Sequence, residues 1–148
     1  MPESKADHPA STPASTPSPW AYSLTVPNDP RSVTVSRQAL RLILRAHGLP
    51  HLADAAELLA TELVANAVQH TAGPASLRLY CAGATLRIAV WDTDPTPPCP
   101  GPASVSDEAG RGLGLVRECS DGWGWCAPGP TRGPQGKFVW CELLAAVV

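Results

Sequence analysis

No stretch of this 148-residue chain is both long and apolar enough to cross a bilayer. The N-terminus also lacks the apolar core of a secretory signal. Neither a membrane span nor export is expected, so the chain reads as cytoplasmic. Lys and Arg form no run, and the formal net charge is −2. No global field therefore draws nucleic acid or an anionic membrane to it. The cysteines, Cys81, Cys99, Cys119, Cys126 and Cys141, include no C-x-x-C pair, and their number is odd. That argues against a disulfide framework or a zinc site and for reduced thiols in a cytosolic protein. No internal repeat is visible.

What is present suffices for one domain with a tail. Hydrophobic residues make up 44% of the chain, enough for a core. Residues 1–19 are rich in Pro, Ser, Thr and Ala. Such a segment buries too little apolar surface to offset its ordering entropy, so it reads as a disordered tail. The folded domain is expected over 20–148. Alternation over Ala21 to Val26 predicts a first strand, and Asp29 with Pro30 predicts the start of a helix over Arg31 to Ala46. Gly48-Leu49-Pro50 breaks it. Leu52, Ala55, Ala56, Leu59, Leu63 and Ala67 form one stripe of a second helix over His51 to His70. Ala75 to Cys81 and Thr85 to Asp92 alternate as paired strands around a short turn. A Pro-rich loop follows from Thr93 to Gly110, then a short helix over Leu113 to Ser120. Strands near Gly122 to Ala127 and Lys137 to Leu144 close the order. Strands and helices are partly segregated, which predicts an α+β fold rather than a doubly wound sheet.

Three features can carry chemistry. Glu62 and Asn66 lie four residues apart on the second helix and so share a face. An amide oxygen suits Mg²⁺, and a carboxylate one turn earlier can polarise a water or hydroxyl. Alone, the pair reads more readily as two ordinary helix-surface polars. Asp92 ends an apolar strand, where a carboxylate can accept from an exocyclic amine or simply cap a turn. Gly110-Arg111-Gly112-Leu113-Gly114-Leu115 places three glycines at alternate positions before a helix. Free N–H groups at such a helix start favour phosphate, and Arg111 adds charge. No Gly-Lys-Ser/Thr follows, so this is not a P-loop. The context is a Pro-rich loop rather than a strand, so it is not a dinucleotide fingerprint either.

In this order and at these spacings, the three features resemble the N, G1 and G2 boxes of the GHKL, or histidine-kinase-like, ATPases. The strings ELVANAVQH, VWDTDPTPP and GRGLGL are similar to the small anti-sigma-factor serine kinases in particular. The likeness runs from about Trp20 to Ala145. It implies a two-layer α/β sandwich of mixed, mostly antiparallel sheet with helices on one face. It implies ATP and Mg²⁺ as cofactors. Asn66 matches the magnesium-binding asparagine and Glu62 the acid that activates the acceptor. Asp92 matches the aspartate that reads the adenine amino group. Gly110, Arg111, Gly112, Leu113 and Gly114 match the phosphate-side turn, and Thr93 to Ala109 the lid. The implied partners are a sigma factor and an anti-anti-sigma protein of the STAS type, phosphorylated on serine. Relatives are commonly dimeric, so a homodimer is also implied. Two positions depart from the pattern. The first box reads Asp92-Thr93-Asp94 where D-x-G is usual, which puts Asp94 at the lid hinge beside the nucleotide. Phe138 stands in Gly136-Lys137-Phe138-Val139-Trp140 where relatives carry a threonine that helps hold adenine. His70 is expected to cap or pack, and the tryptophans to serve the core and sheet. Three functional classes follow: a kinase that also sequesters sigma, a non-catalytic nucleotide-gated binding module, and a scaffold that binds no nucleotide. Nucleotide binding separates the last from the others, and dependence on Glu62 separates the first two.

Overall fold

The computed structural model describes the backbone of residues 18–98, 108–128 and 135–145, and the side chains of all of these except 108–112. The predicted tail through residue 17 and most of the predicted lid, 99–107, lie outside the described residues. In chain order the elements are β1 (Trp20–Val26), α1 (Arg31–Ala46), a 3-10 turn (Pro50–Leu52), α2 (Ala53–His70), β2 (Ala75–Ala82), β3 (Thr85–Asp92), α3 (Glu108–Cys119), β4 (Gly122–Cys126) and β5 (Lys137–Leu144). No helix among the described residues is long and apolar enough to cross a membrane.

The strands form one five-stranded sheet in the order β1-β2-β3-β5-β4. Every neighbouring pair is antiparallel. The expected α+β architecture is present, but the expected mixed sheet is not. The reason is topological. α3 returns the chain so that β4 runs the same way as β3, and β5 then inserts between the two. β2 and β3 are joined through Gly83 and Ala84, and Gly83 takes φ 59°, as a tight hairpin turn requires.

Period-two alternation sends one side chain in two to the helices. Leu77, Val90 and Val139 align across three strands, as do Leu79, Ile88 and Cys141, then Cys81, Leu86 and Leu143. All are buried. Above them lies α2, whose Ala56, Leu59, Ala60, Leu63, Val64 and Ala67 form the buried stripe. α1 packs on one side of α2 and α3 on the other. Arg41 ties α1 to α2 by bonding Asp54 at 2.7 Å and also Glu57. Among the described residues, the opposite sheet face carries no helix. There Arg78 lies over Phe138 and Arg87 over Trp140, with Arg87 also paired to Glu142 at 2.6 Å.

Helix ends follow the sequence. Asp29 Oδ1 accepts the Arg31 N–H at 2.8 Å, as expected of a cap, while Pro30 already has helical angles. At the other end of α1, Gly48 at φ 74° lets Leu49 N–H reach Leu44 O at 2.8 Å. α3 differs from expectation by starting at Glu108 rather than Leu113. Gly110, Gly112 and Gly114 therefore lie within the helix, not in a turn before it. Glycine keeps its N–H, so each weakens a helix by only about 1 kcal/mol without breaking it.

Ile88 is fully buried at the centre of its row. Ile88→Ala is expected to lower unfolding free energy by about 2–5 kcal/mol, read by urea denaturation. The cap gives a pH prediction. Hydrogen bonding from Arg31 lowers the Asp29 carboxyl from an ordinary 3.8 to about 2. A depressed carboxyl contributes stability above its unfolded value and loses it as the pH falls through its folded value. Acid titration of stability should therefore slope between those two values in the native chain and flatten there in Asp29→Asn.

Candidate functional site

Two element ends meet at the proposed site, the C-terminal half of α2 and the end of β3. The end of α2 is held by Asn28, whose Nδ2 donates to Val68 O at 3.2 Å, Thr71 O at 2.7 Å and Gly73 O at 3.2 Å. Val68 O is among the last carbonyls that a helix leaves without internal partners, and Thr71 O and Gly73 O belong to the turn after it. Gly73 then packs directly on Thr93. A Cβ at Gly73 would stand 2.6 Å from Thr93 Cγ2. The turn after α2 and the residue after Asp92 are thereby in contact.

Asp92 sits on the inner face as the last residue of β3, opposite Lys137 of β5. It is 2% exposed and Lys137 is 4% exposed. Lys137 Nζ donates to Asp92 Oδ1 at 3.1 Å and to Asp94 O at 2.8 Å. Asp94 N–H donates to the same Oδ1 at 2.9 Å. Asp92 Oδ2 has no partner among the described residues. Asp94 turns outward, where its Oδ1 accepts from Thr96 N–H at 2.9 Å. Bonds from Thr96, chiefly its backbone N–H, hold the Asp94 carboxyl below the usual range, and the charges of Lys137 and His70 act the same way.

By resemblance, Phe138 stands where relatives carry a threonine that helps hold adenine; in the structure its side chain lies on the sheet face away from Asp92. Phe138 is opposite Trp91 on the helix-free face, beneath Arg78. The residue opposite Asp92 is Lys137, one position earlier. The alternation of Val139, Cys141 and Leu143 already carried that information, because Lys137 has their parity and Phe138 does not. The approach of β5 to β3 is tight here. A Cβ at Gly136 would lie 2.2 Å from Asp92 O and 2.6 Å from the Trp91 ring.

Glu62 and Asn66 are both half-buried on α2, one turn apart. Asn66 makes no side-chain hydrogen bond among the described residues, so its amide oxygen is open to a ligand. Leu113 is buried in the core and Gly114 is buried beside it. The Leu113 side chain therefore packs, and the N–H groups of Gly112, Leu113 and Gly114 fall inside α3, past its free first four, so these three do not form the expected phosphate-side turn. Gly110, Arg111 and Gly112 lie in the first turns of α3, and the Arg111 side chain lies outside the described residues. The first four N–H groups of that helix, at 108–111, have no intrahelical partner.

These groups fit a magnesium nucleotide. An unpartnered amide oxygen is a hard ligand of the kind Mg²⁺ takes beside phosphate oxygens. An unpartnered carboxylate oxygen in a buried position suits the N–H of a base. Removing one member of the Asp92–Lys137 pair leaves the other as an unpaired buried charge. Lys137→Met or Asp92→Asn should each cost about 3–5 kcal/mol in denaturant unfolding, and the double variant far less than the sum. Additive losses would show that the two do not act as a pair.

Comparison with known proteins fits this geometry. An uncharacterized protein of Streptomyces coelicolor is 41% identical over 69 residues, covering 43% of this chain and 66% of the relative. The match thus spans less than two thirds of that relative's length. The family described as the histidine kinase-like ATPase domain matches residues 26–133, which takes in α1, α2, the β2–β3 hairpin, α3 and β4. With the sheet, the α2 pair and the buried aspartate in place, the chain belongs to the histidine kinase-like ATPase domain family.

Proposed function

We propose that this chain binds Mg²⁺-ATP between α2 and the end of β3. In this reading it acts as a serine/threonine protein kinase of the anti-sigma type. Its acceptor is a serine on an anti-anti-sigma protein of the STAS type, and in its other role it sequesters a sigma factor. The observation that carries the reading is the half-buried Glu62–Asn66 pair, one turn apart on α2, in a chain whose β3 ends on the buried Asp92.

The roles follow from chemistry. Bound Mg²⁺-ATP supplies an activated γ-phosphoryl group with its charge partly neutralised. Asn66 offers its amide oxygen to the metal. Asp92 offers Oδ2 to the base at the inner end of the crevice. The free N–H groups at the start of α3 favour phosphate. Glu62 would orient the incoming serine hydroxyl and take its proton as the γ-phosphoryl group passes to the serine oxygen and its bond to ADP breaks. Asp92, Asp94 and Lys137 together fix the start of the loop that follows β3. That tie at a hinge position supports a second reading, in which nucleotide only sets partner affinity through the loop.

Calorimetric titration of ATP with and without Mg²⁺ tests the site. The expected result is magnesium-dependent binding that Asn66→Ala abolishes. Labelled ATP with the cognate antagonist then tests the kinase. Glu62→Ala should slow phosphoserine formation by about 10²–10⁴-fold while nucleotide still binds. Nucleotide-dependent partner binding with no phosphoserine would select the second reading, and no nucleotide binding at all would exclude both.

A further inference from the structure

The helix-free face of the sheet holds a cleft of about 480 Å³, a volume that suits a small organic ligand. It lies where β3 ends and β5 begins, behind Asp92 and Lys137 and on the other side of the sheet from them. Strand pairing builds it. Trp91 is opposite Ser76 on one side and Phe138 on the other, and all three point outward by parity. Pro74 and Pro128 add two further rings to the lining. Flat apolar walls of this kind favour a planar aromatic ligand.

The polar lining sets the charge of that ligand. Among the described residues that line the cleft, Arg78 alone is charged. Its guanidinium lies 4.8 Å from the centre of the Phe138 ring. Stacking uses the flat face of a guanidinium and leaves its N–H groups, which lie in the plane, able to fork onto a carboxylate. No acceptor takes those N–H groups among the described residues. The other arginine of this face, Arg87, is already paired with Glu142 at 2.6 Å. Ser76 is a second donor. It is only 8% exposed, and its oxygen accepts from Thr25 Oγ1 at 3.5 Å. Its own O–H has no acceptor among the described residues. One cation and one hydroxyl match a single negative charge, whereas a phosphate dianion would bring charge that the lining does not balance.

We infer that this cleft is a binding site for a small aromatic monocarboxylate. The ring lies among Trp91, Phe138 and the two prolines, and the carboxylate is held by Arg78 and Ser76. The site stands apart from the nucleotide crevice and does not depend on it. Phe138, turned away from Asp92, has a use here, since its ring holds the Arg78 guanidinium flat.

The test is an NMR titration of the full chain with naphthalene-2-carboxylate and with its neutral carboxamide. The carboxylate should bind with a Kd of about 1 mM or tighter, and the carboxamide about tenfold or more weaker. Amide shifts should centre on Ser76, Arg78, Trp91 and Phe138. Arg78 is exposed, so Arg78→Leu leaves the core intact; it should weaken the carboxylate by about tenfold or more and bring the two probes level. Arg78→Lys, which keeps the charge and loses the fork, should fall between. No binding of the carboxylate at about 10 mM would overturn the inference. So would equal affinity for the two probes in wild type, an unchanged affinity in Arg78→Leu, or displacement of the probe by Mg²⁺-ATP, which would put it in the nucleotide crevice instead.

Discussion

A lysine ammonium and a carboxylate placed inside a small domain must find each other, because neither is tolerable alone there. The Asp92–Lys137 pair meets that constraint at the point where β3 ends, β5 begins and the long loop departs. The ammonium also holds Asp94 O, and the Asp94 N–H returns to the same carboxylate. One cluster of three bonds thus fixes the direction of the aspartate, the register of two strands and the first turn of the loop. The close passage of Gly136 over Asp92 O is its backbone counterpart. Such a pair adds little net stability against an apolar replacement of both members. Its value lies in where it points the remaining oxygen.

The rest of the site is built around that fixed point. α2 lies centrally over the sheet because its small and branched residues bury against Leu79, Ile88 and their neighbours. Its last turn is brought to Thr93 by Asn28 and by the absence of a side chain at Gly73. The packing of α2 on the sheet sets where Glu62 and Asn66 stand, and the Asp92–Lys137 pair sets the direction of Asp92.

Most of the scaffold was legible in the sequence because hydrophobic periodicity and turn residues acted in the same direction. The α1 and β3 boundaries follow directly from Asp29-Pro30, Gly48 and the Leu86, Ile88, Val90 alternation. The family was legible as well, through the resemblance carried by the order and spacing of Glu62, Asn66 and Asp92. Three things were not. The strand order depends on β5 inserting between β3 and β4, a long-range choice that no local pattern records. The start of α3 was hidden because glycines at alternate positions resemble a turn, although their N–H groups permit a helix. The role of Lys137 was missed because a lysine beside a glycine reads as a surface residue, while strand parity, correctly applied, sends it inward.

The central claim is that the crevice between α2 and the end of β3 is where nucleotide binds. Amide hydrogen exchange with and without Mg²⁺-ATP measures it most directly, since it reports the location of protection without a variant or a known partner. The account predicts slowed exchange over 62–70, 92–98 and 108–116, with the edge strand β4 unchanged. Protection confined to other segments, or none at saturating nucleotide, would contradict it.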